Sequence, residues 1–354
     1  MIDANLNRSS EGLRVLEDVA RFLLNDTELS QRLRTLRHDL ARDTKSLSVG
    51  LLSGRDAEHD VGRLHSKDKA PITEVAPLQS LLDLVTANAK RVEEALRVIE
   101  ELAKLPEMNS LLNSAGFEQT RFALYALERD LFSKITRRDK TDRMAGLYVI
   151  LDRQFLAGRD ELEVARQIVD GGARAIQLRD KQSKKGELLP VAQKLKELCS
   201  RAGVLFIVND YLDLAMAADA DGLHIGQDDL PLTVVRRQLP IDKIVGCSVT
   251  TVSQATKAQN EGADYIAVGS IFPTTTKKEA IVVGVDTVRE LKRTISTPLV
   301  AIGGINESNI AEVVVAGADA VAVVSAVLGE KDMKRAVHKL AAKIDLGKEK
   351  CQNQ

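Results

Sequence analysis

Eight apolar, strand-like segments, each followed by an amphipathic helical segment, fill the second part of this 354-residue chain. The segments are LYVIL (147–151), AIQLR (175–179), LFIVND (205–210), GLHIG (222–226), KIVGCSV (243–249), YIAVGSI (265–271), PLVAIGG (298–304) and AVAVVSA (320–326). Near-continuous apolar strands indicate burial on both faces, as in a parallel sheet under helices. Eight such units in about 200 residues are typical of an α/β fold of the closed (β/α)8 TIM barrel type. An open doubly wound sheet is the alternative, but the glycine-rich dinucleotide motif that would favour it is missing from the sequence.

The first part of the chain has a different pattern. Apolar residues recur there at three- and four-residue spacing, as at Leu13, Leu16 and Leu23, which predicts helices. We therefore expect an all-α domain over 1–132, a charged linker over 133–145, the barrel over 146–345 and a polar tail over 346–354.

The helical domain contains an internal repeat. ANLNRSSEGLRVLEDVAR (4–21) is matched by ANAKRVEEALRVIEELAK (87–104), and LRTLRHDL (33–40) resembles LYALERDL (124–131). Such self-similarity indicates a duplicated domain with pseudo-twofold symmetry. Core packing explains the shared aliphatic residues but not the shared polar ones. We therefore expect a ligand site at the polar positions, which include Asn5, Arg8, Glu11, Arg14, Asn88 and Arg91.

Gly12 interrupts the first copy of the repeated helix, where the second copy has Ala95. A glycine inside a helix costs about 1 kcal/mol, so its presence indicates close approach by another backbone or by a ligand. The mismatch predicts that only one copy still binds. A solvated ladder of ion pairs, or a dimer surface, is the alternative interpretation of the charged positions.

Composition excludes several classes of protein. Lys and Arg number 50 and Asp and Glu 51, so no net field favours nucleic acid or an anionic membrane. Cys199, Cys247 and Cys351 have neither disulfide-framework nor zinc-ligand spacing. No apolar run approaches the ~20 residues that span a bilayer. We expect a cytoplasmic protein that binds neither nucleic acid nor membrane, and the sequence leaves a homo-oligomer open.

Polar side chains follow the strands at one end of the predicted barrel, which is where TIM barrels hold their active sites. In strand order they are Gln177, Arg179 and Lys181; Asn209 and Asp210; His224 and Asp229; Ser248; Thr274, Thr276 and Lys277; Gly303 and Gly304; and Val324 and Ser325. Each member alone has a structural explanation, such as a helix cap for an Asp. We interpret His224 as a packed strand residue rather than a base. The whole set predicts an active site.

The residue types suit the binding of two anions. Gly303-Gly304 and Val324-Ser325 fit the barrel phosphate site, where backbone amides and a helix N-terminus meet the anion. Arg179, Lys181 and Lys277 can neutralise a second, larger anion.

A metal ion fits the same end of the barrel. Asp210 and Asp229 follow neighbouring strands and can share one Mg²⁺, which takes one or two carboxylates plus phosphate oxygens and water. The sequence thus predicts a site for two phosphorylated small molecules and one metal ion.

Six motifs of the barrel together match a known family. They are Gln177-x-Arg179-x-Lys181, Asn209-Asp210, His224-x-Gly226-Gln227-x-Asp229, GSIFPTTTK (269–277), AIGGI (301–305) and VVSA (323–326). On these residues, 146–345 resembles thiamine phosphate synthase. The resemblance implies an enzyme that uses Mg²⁺ to join hydroxymethylpyrimidine diphosphate to thiazole phosphate, giving thiamine phosphate and pyrophosphate.

The resemblance also implies roles for single residues. The diphosphate would contact Arg179, Lys181, Asn209 and Lys277; Mg²⁺ would bind Asp210 and Asp229; the thiazole phosphate would bind Thr274, Thr276 and the backbone near Gly304 and Ser325; and the pyrimidine would meet Gln177 and Ser248. The expected catalytic groups are Lys277, Arg179 and Ser248. A related thiazole tautomerase, or a barrel that binds thiazole phosphate without catalysis, is the alternative.

The segment DANLNRSSEGLRVLEDVARF (3–22) resembles the signature of a helical domain often fused ahead of such synthases, the alternative hydroxymethylpyrimidine phosphate kinase. The resemblance implies a domain that makes the diphosphate from ATP with Mg²⁺. The chain has no G-x-x-x-x-G-K-[ST] phosphate loop. In that family a Thr follows Asp-Val-Gly, whereas Arg63 follows Asp60-Val61-Gly62 here. A structural or docking role is the alternative for this domain.

Overall fold

The computed structural model describes residues 1–45, 80–274, 276 and 280–352. The chain divides into two compact units, Met1–Thr136 and Arg137–Gln354. Two sequence predictions lie outside the described residues, namely the position of Lys277 and the departure at Arg63. No described helix is both long enough and apolar enough to cross a membrane.

The described residues of the first unit are mostly helical. The unit contains α1 (Ile2–Asp18), a π-helical turn (Val19–Leu23), α2 (Thr27–Asp43), α3 (Leu81–Leu102) and the start of α4 (Ser114–Met144). The side chain of Asp26 accepts from the amide of Leu29 and so caps α2, which satisfies one of the free donors at its start. Aliphatic residues of α1, α2, α3 and α4 form one buried core, among them Leu13, Leu33, Leu96 and Leu124.

The segment expected to link the domains is mostly helical. Helix α4 continues to Met144, and the two compact units divide within it. The expected polar tail likewise begins inside the last helix, Met333–Gln352. Lys and Arg are good helix formers, so a charged run does not by itself end a helix.

Equivalent ion pairs in the two copies support the internal duplication. The buried Glu17 accepts from Arg37, 20 residues further on, at 3.0 Å. The buried Glu100 accepts from Arg121, 21 residues further on, at 3.2 Å. Arg37 and Arg121 are therefore counterparts. The sequence instead suggested aligning 33–40 with 124–131, and that alignment is shifted by about two helical turns from the one that the ion pairs indicate.

The second unit is a closed barrel of eight parallel strands in the order of the sequence. This confirms the predicted fold. The strands are β1 (Leu147–Asp152), β2 (Ala175–Arg179), β3 (Leu205–Asn209), β4 (Gly222–Ile225), β5 (Ile244–Val249), β6 (Tyr265–Val268), β7 (Leu299–Ile302) and β8 (Ala320–Val323). The helices of this unit after α4 are Arg153–Leu156, Glu161–Asp170, Lys185–Arg201, Leu212–Ala217, Leu232–Gln238, Val252–Asn260, Val285–Thr294, Ile310–Val315, Ser325–Leu328 and Met333–Gln352.

The barrel has two hydrophobic cores, one on each face of the sheet. Alternate strand residues, such as Val149 and Leu151, pack outward against the helices. The others, such as Tyr148 and Tyr265, fill the barrel interior. A Cβ at position 246 would lie 2.0 Å from Tyr265 Cζ, so Gly246 provides the space for this ring. The same alternation points residues 177, 209, 224 and 248 inward.

Candidate active site

A cavity of about 420 Å³ lies at the carboxyl ends of the strands. Every described residue of the predicted barrel site lines it: Gln177, Arg179, Lys181, Asn209, Asp210, Asp229, Ser248, Thr274, Thr276, Gly303, Gly304, Val324 and Ser325. The structure therefore brings these residues together, while their individual roles stay predictions.

An ion pair lies at the β1–β2 edge of the cavity. Arg179 at the end of β2 contacts the carboxylate of Asp152 at the end of β1, whose side chain is only 2% exposed. Asp152 also accepts from the amide of Gln154 at 3.0 Å. The pair holds the guanidinium in the lining of the cavity. Sequence reasoning missed Asp152 because it ended the first strand one residue early.

A pair of carboxylates lies on the neighbouring side of the cavity. Asp210 follows β3 with φ of 63°, a left-handed conformation that non-glycine residues seldom adopt, and it lines the cavity. Burial, together with the hydrogen bond and negative charge of Asp229, raises the pKa of Asp210. Lys181 opposes this shift, with its Nζ 3.3 Å from Asp210 Oδ2. Asp229 Oδ2 accepts from the amide of Gly226 at 2.7 Å, which fixes the second carboxylate.

Five hydrogen-bonded side chains cross the bottom of the cavity, and we call them the floor chain. Gln177 Nε2 donates to the Tyr148 hydroxyl at 2.6 Å, which lies 3.2 Å from the Tyr265 hydroxyl. That hydroxyl is 3.0 Å from His224 Nδ1, and His224 Nε2 is 2.9 Å from Ser248 Oγ. Burial lowers the pKa of His224 to about 4. The interpretation of His224 as a packed strand residue agrees with this placement.

The two predicted glycines after β7 make room for the loop after β6. A Cβ at position 303 would lie 2.1 Å from Ser270 Oγ, and one at 304 would lie 2.5 Å from the Pro273 carbonyl oxygen. Both glycines have positive φ, 101° and 65°. The segment that carries Thr274 is thereby held against them, with the Phe272 amide donating to the Gly303 oxygen at 3.0 Å.

Comparison with known proteins places this site in a family. A family model described as thiamine monophosphate synthase matches residues 147–327, and a ThiD2 family model matches residues 1–130. The thiamine-phosphate synthase of Thermosynechococcus vestitus is 37% identical over 350 residues, which are 98% of this chain and 95% of the relative. The chain belongs to the thiamine-phosphate synthase family.

Other members of the thiamine-phosphate synthase family agree. The synthase of a Synechocystis strain is 38% identical over 348 residues, covering 97% of this chain and 95% of its own. A solved structure, the thiamine phosphate pyrophosphorylase of Pyrococcus furiosus, is 37% identical and superposes with a TM-score of 0.55. It covers 58% of this chain and 98% of its own length. Both predicted resemblances, of the barrel and of the helical domain, are confirmed.

Four of the predicted ligand positions of the helical unit form the same hydrogen-bonded contact in the two copies of the repeat. Asn5 and Asn88 are buried, and their amides donate to the carbonyls of Met1 and Leu84 at 3.0 and 2.8 Å. The side-chain oxygen of each accepts from the arginine three residues on, Arg8 or Arg91, at 3.3 Å. The contact is thus the same in both copies. Each asparagine holds an arginine in place at the helix surface.

The other predicted positions, Glu11 and Arg14, are exposed on α1. Gly12 lies against α3, where a Cβ would be 2.5 Å from Val92 Cγ2 and 3.1 Å from the Asn88 carbonyl oxygen. The expected close approach at Gly12 is therefore made by another helix. Helix packing thus accounts for Gly12 without a ligand, while the prediction that only one copy binds stays a prediction.

Sequence reasoning missed a carboxylate pair in this unit. Burial and the neighbouring Glu128 raise the pKa of Glu93 to about 7. Its Oε1 atom is buried without a hydrogen-bond partner among the described residues. Glu93 has no acidic counterpart in the first copy, where Ser10 stands at the matching position, so the repeat gave no signal for it.

Proposed function

We propose that the barrel joins hydroxymethylpyrimidine diphosphate to thiazole phosphate and releases pyrophosphate. The observation that carries the proposal is the arrangement of the cavity. One side carries cations and carboxylates, the other carries the glycine-rich turn and the start of the helix at Ser325, and hydrogen-bonding groups lie between them. A pyrimidine diphosphate and a thiazole phosphate with their rings in contact would place one anion on each side of such a cavity.

The reaction needs one bond to break and one to form. The C–O bond between the pyrimidine methylene and the diphosphate breaks, and its electrons leave with pyrophosphate. The thiazole nitrogen then supplies the lone pair for the new C–N bond. The electron-rich pyrimidine stabilises the positive charge on the methylene, so the site must chiefly stabilise negative charge on the leaving group.

Fixed cations of this chain are suited to that task. Arg179 is held by Asp152 and Lys181 by Asp210, so both can present positive charge without large reorganisation when the leaving group forms. We propose Lys277 as a third such cation on the ground of the sequence alone.

The carboxylate pair fits Mg²⁺. Asp210 and Asp229 crowd negative charge together, as the raised pKa of Asp210 reflects, and a divalent cation would relieve that repulsion. Among the described residues no group of three metal-binding side chains occurs, so phosphate oxygens and water would complete the coordination shell. When bound, the ion supplies positive charge beside the diphosphate.

The carboxylates and cations also favour synthesis over the alternatives. A tautomerase, or a barrel that only binds thiazole phosphate, has no use for a second anion site. Arg179, Lys181, Asp210 and Asp229 converge on one cavity here, opposite the glycine turn. We therefore favour a synthase that uses both substrates.

For the helical unit we propose phosphorylation of the pyrimidine monophosphate with ATP. The match of residues 1–130 to the ThiD2 family supports this proposal. The paired arginines Arg8 and Arg91, each held by a buried asparagine, are the groups we assign to the phosphates.

A single assay with two starting mixtures tests both activities. The full chain receives thiazole phosphate and Mg²⁺ with either the pyrimidine diphosphate, or the monophosphate plus ATP. We expect thiamine phosphate from both mixtures. Product from the first mixture alone would remove the kinase proposal. Product from neither would remove the synthase proposal, and pyrimidine diphosphate in the second mixture would then decide whether the kinase proposal stands.

A further inference from the structure

The floor chain has a direction, because each of its hydroxyl groups carries a single hydrogen. Gln177 Nε2 donates to the Tyr148 oxygen, so the Tyr148 hydrogen is left for Tyr265. The Tyr265 hydrogen then goes to His224 Nδ1. His224 must donate from Nε2 to Ser248, whose own hydrogen can point into the cavity.

The direction is well defined because His224 is neutral. Its ring nitrogens face the hydroxyls of Tyr265 and Ser248 rather than a carboxylate, and a neutral imidazole carries one N–H and one acceptor nitrogen. Tyr148, Gln177 and Tyr265 are at most 2% exposed, so water does not compete for their hydrogen bonds. Reversing one link would require reversing all of them.

The two directions would offer opposite patterns to a ligand. In the direction that follows from the Gln177 amide, the Gln177 side-chain oxygen is free to accept, and Ser248 is free to donate. In the reverse direction the Gln177 amide nitrogen would face the ligand, and Ser248 would offer only lone pairs. The chain thus couples the hydrogen-bonding character of two residues on different strands.

We propose that the floor chain selects an amino-pyrimidine over an oxo-pyrimidine, with Tyr148, Tyr265 and His224 acting as positioning residues that do not touch the substrate. This inference rests on the proposed synthase function. An amino-pyrimidine edge donates from its amine and accepts at the adjacent ring nitrogen, which complements an acceptor at Gln177 and a donor at Ser248. An oxo-pyrimidine edge has the opposite pattern, so its groups would be left unpaired.

The decisive variant is Tyr265→Phe, which removes the hydroxyl in the middle of the chain and keeps the ring. Tyr148→Phe breaks the preceding link and serves if the first variant does not fold. Tyr125→Phe removes the same atom from a half-exposed tyrosine of the helical unit and is the matched control. Each full-length variant is assayed with amino- and oxo-pyrimidine diphosphates, and with varied thiazole phosphate.

We expect Tyr265→Phe to lower the selectivity for the amino-pyrimidine, measured as the ratio of kcat/KM values, by about tenfold or more. The KM for thiazole phosphate should stay unchanged, and the control should match the wild type. If the KM for the amino-pyrimidine diphosphate and the KM for thiazole phosphate rose equally, the role of Tyr265 would be merely structural and the proposal would be overturned. Unchanged selectivity would overturn it as well.

A spectroscopic measurement tests the direction without activity. In ¹⁵N NMR of the full chain, with the signal assigned by its loss in His224→Asn, we expect His224 to carry its proton on Nε2. A proton on Nδ1 would overturn the inference. A wild type that makes no thiamine phosphate would remove the proposed function and the inference with it. An active wild type with the Nδ1 proton would remove the inference alone.

Discussion

Lys181 Nζ lies 3.3 Å from Asp210 Oδ2, on the side of the cavity where Asp210 also meets Asp229. The lysine compensates only part of the negative charge, because its side chain is half exposed and water screens its field. The ionised form of Asp210 is therefore destabilised in the absence of a cation, and binding of a cation would relieve this repulsion.

Asp210→Asn should separate catalysis from stability. Losing a carboxylate that would hold Mg²⁺ beside the leaving pyrophosphate should lower kcat about a hundredfold or more, and we expect the same from losing the cation in Lys277→Ala. The folded protein disfavours the ionised Asp210, so at pH 8 the Tm of Asp210→Asn should rise. Asp213→Asn is the control, because the hydrogen bond from Lys185 lowers the pKa of this exposed carboxylate and its loss should not raise the Tm. Near-normal turnover in Asp210→Asn would contradict the assignment.

Arg179→Ala should destabilise the barrel. It leaves the carboxylate of Asp152 buried without its cation, which should cost about 3 kcal/mol, the lower end of the usual range because Arg179 is partly exposed. Calorimetry of the full chain should show the barrel Tm falling by about 5 °C or more. Because adding Asp152→Ala removes the unpaired charge, the double variant should recover part of the loss. A single variant as stable as the wild type would mean that the pair is not formed in solution.

Gly12→Ala should lower the stability of the helical unit although alanine is the better helix former. The new methyl group would meet Val92 Cγ2, and Val92 is fully buried and stiff at its branched Cβ. We expect a loss of about 1–3 kcal/mol. In a Val92→Ala background the same change should be neutral or favourable. Equal effects of Gly12→Ala in both backgrounds would show that the helices do not meet there.

The pH dependence of stability should report on Glu93. Its folded pKa of about 7 lies above the usual 4.5, so the folded state holds a proton that the unfolded state releases between these values. Stability should therefore fall as pH rises from about 4.5 to about 7. Glu93→Gln should raise the Tm of the helical unit at pH 8 and change it little at pH 4.5. The exposed Glu94→Gln is the control, and equal shifts at both pH values would contradict the account.

The sequence predicted much of the barrel site because two regular rules place it. Strand residues alternate between inside and outside, and the carboxyl ends of parallel strands meet, so Gln177, Asn209 and Ser248 could be assigned to one cavity without coordinates. The floor chain could not be found in this way. Tyr148 and Tyr265 look like ordinary core aromatics, and only barrel closure brings strands β1 and β6 near enough for their hydroxyls to meet at 3.2 Å.

The helical unit was harder to predict, since its repeat preserves both packing and polar contacts. Asn5 and Asn88 each bond their own helix and orient an arginine, and their predicted part in a ligand site stays a prediction. Gly12 was read correctly as a point of close approach, but a sequence cannot say which element approaches.

The most direct test of the central claim is the fate of an oxygen label. The full chain, thiazole phosphate and Mg²⁺ are incubated with pyrimidine diphosphate. The oxygen atom that bridges the methylene carbon and phosphorus is labelled with ¹⁸O. Cleavage of the C–O bond predicts that all of the label leaves in pyrophosphate, in a one-to-one ratio with unlabelled thiamine phosphate. Label recovered in hydroxymethylpyrimidine would show attack at phosphorus instead, and would contradict the proposed chemistry.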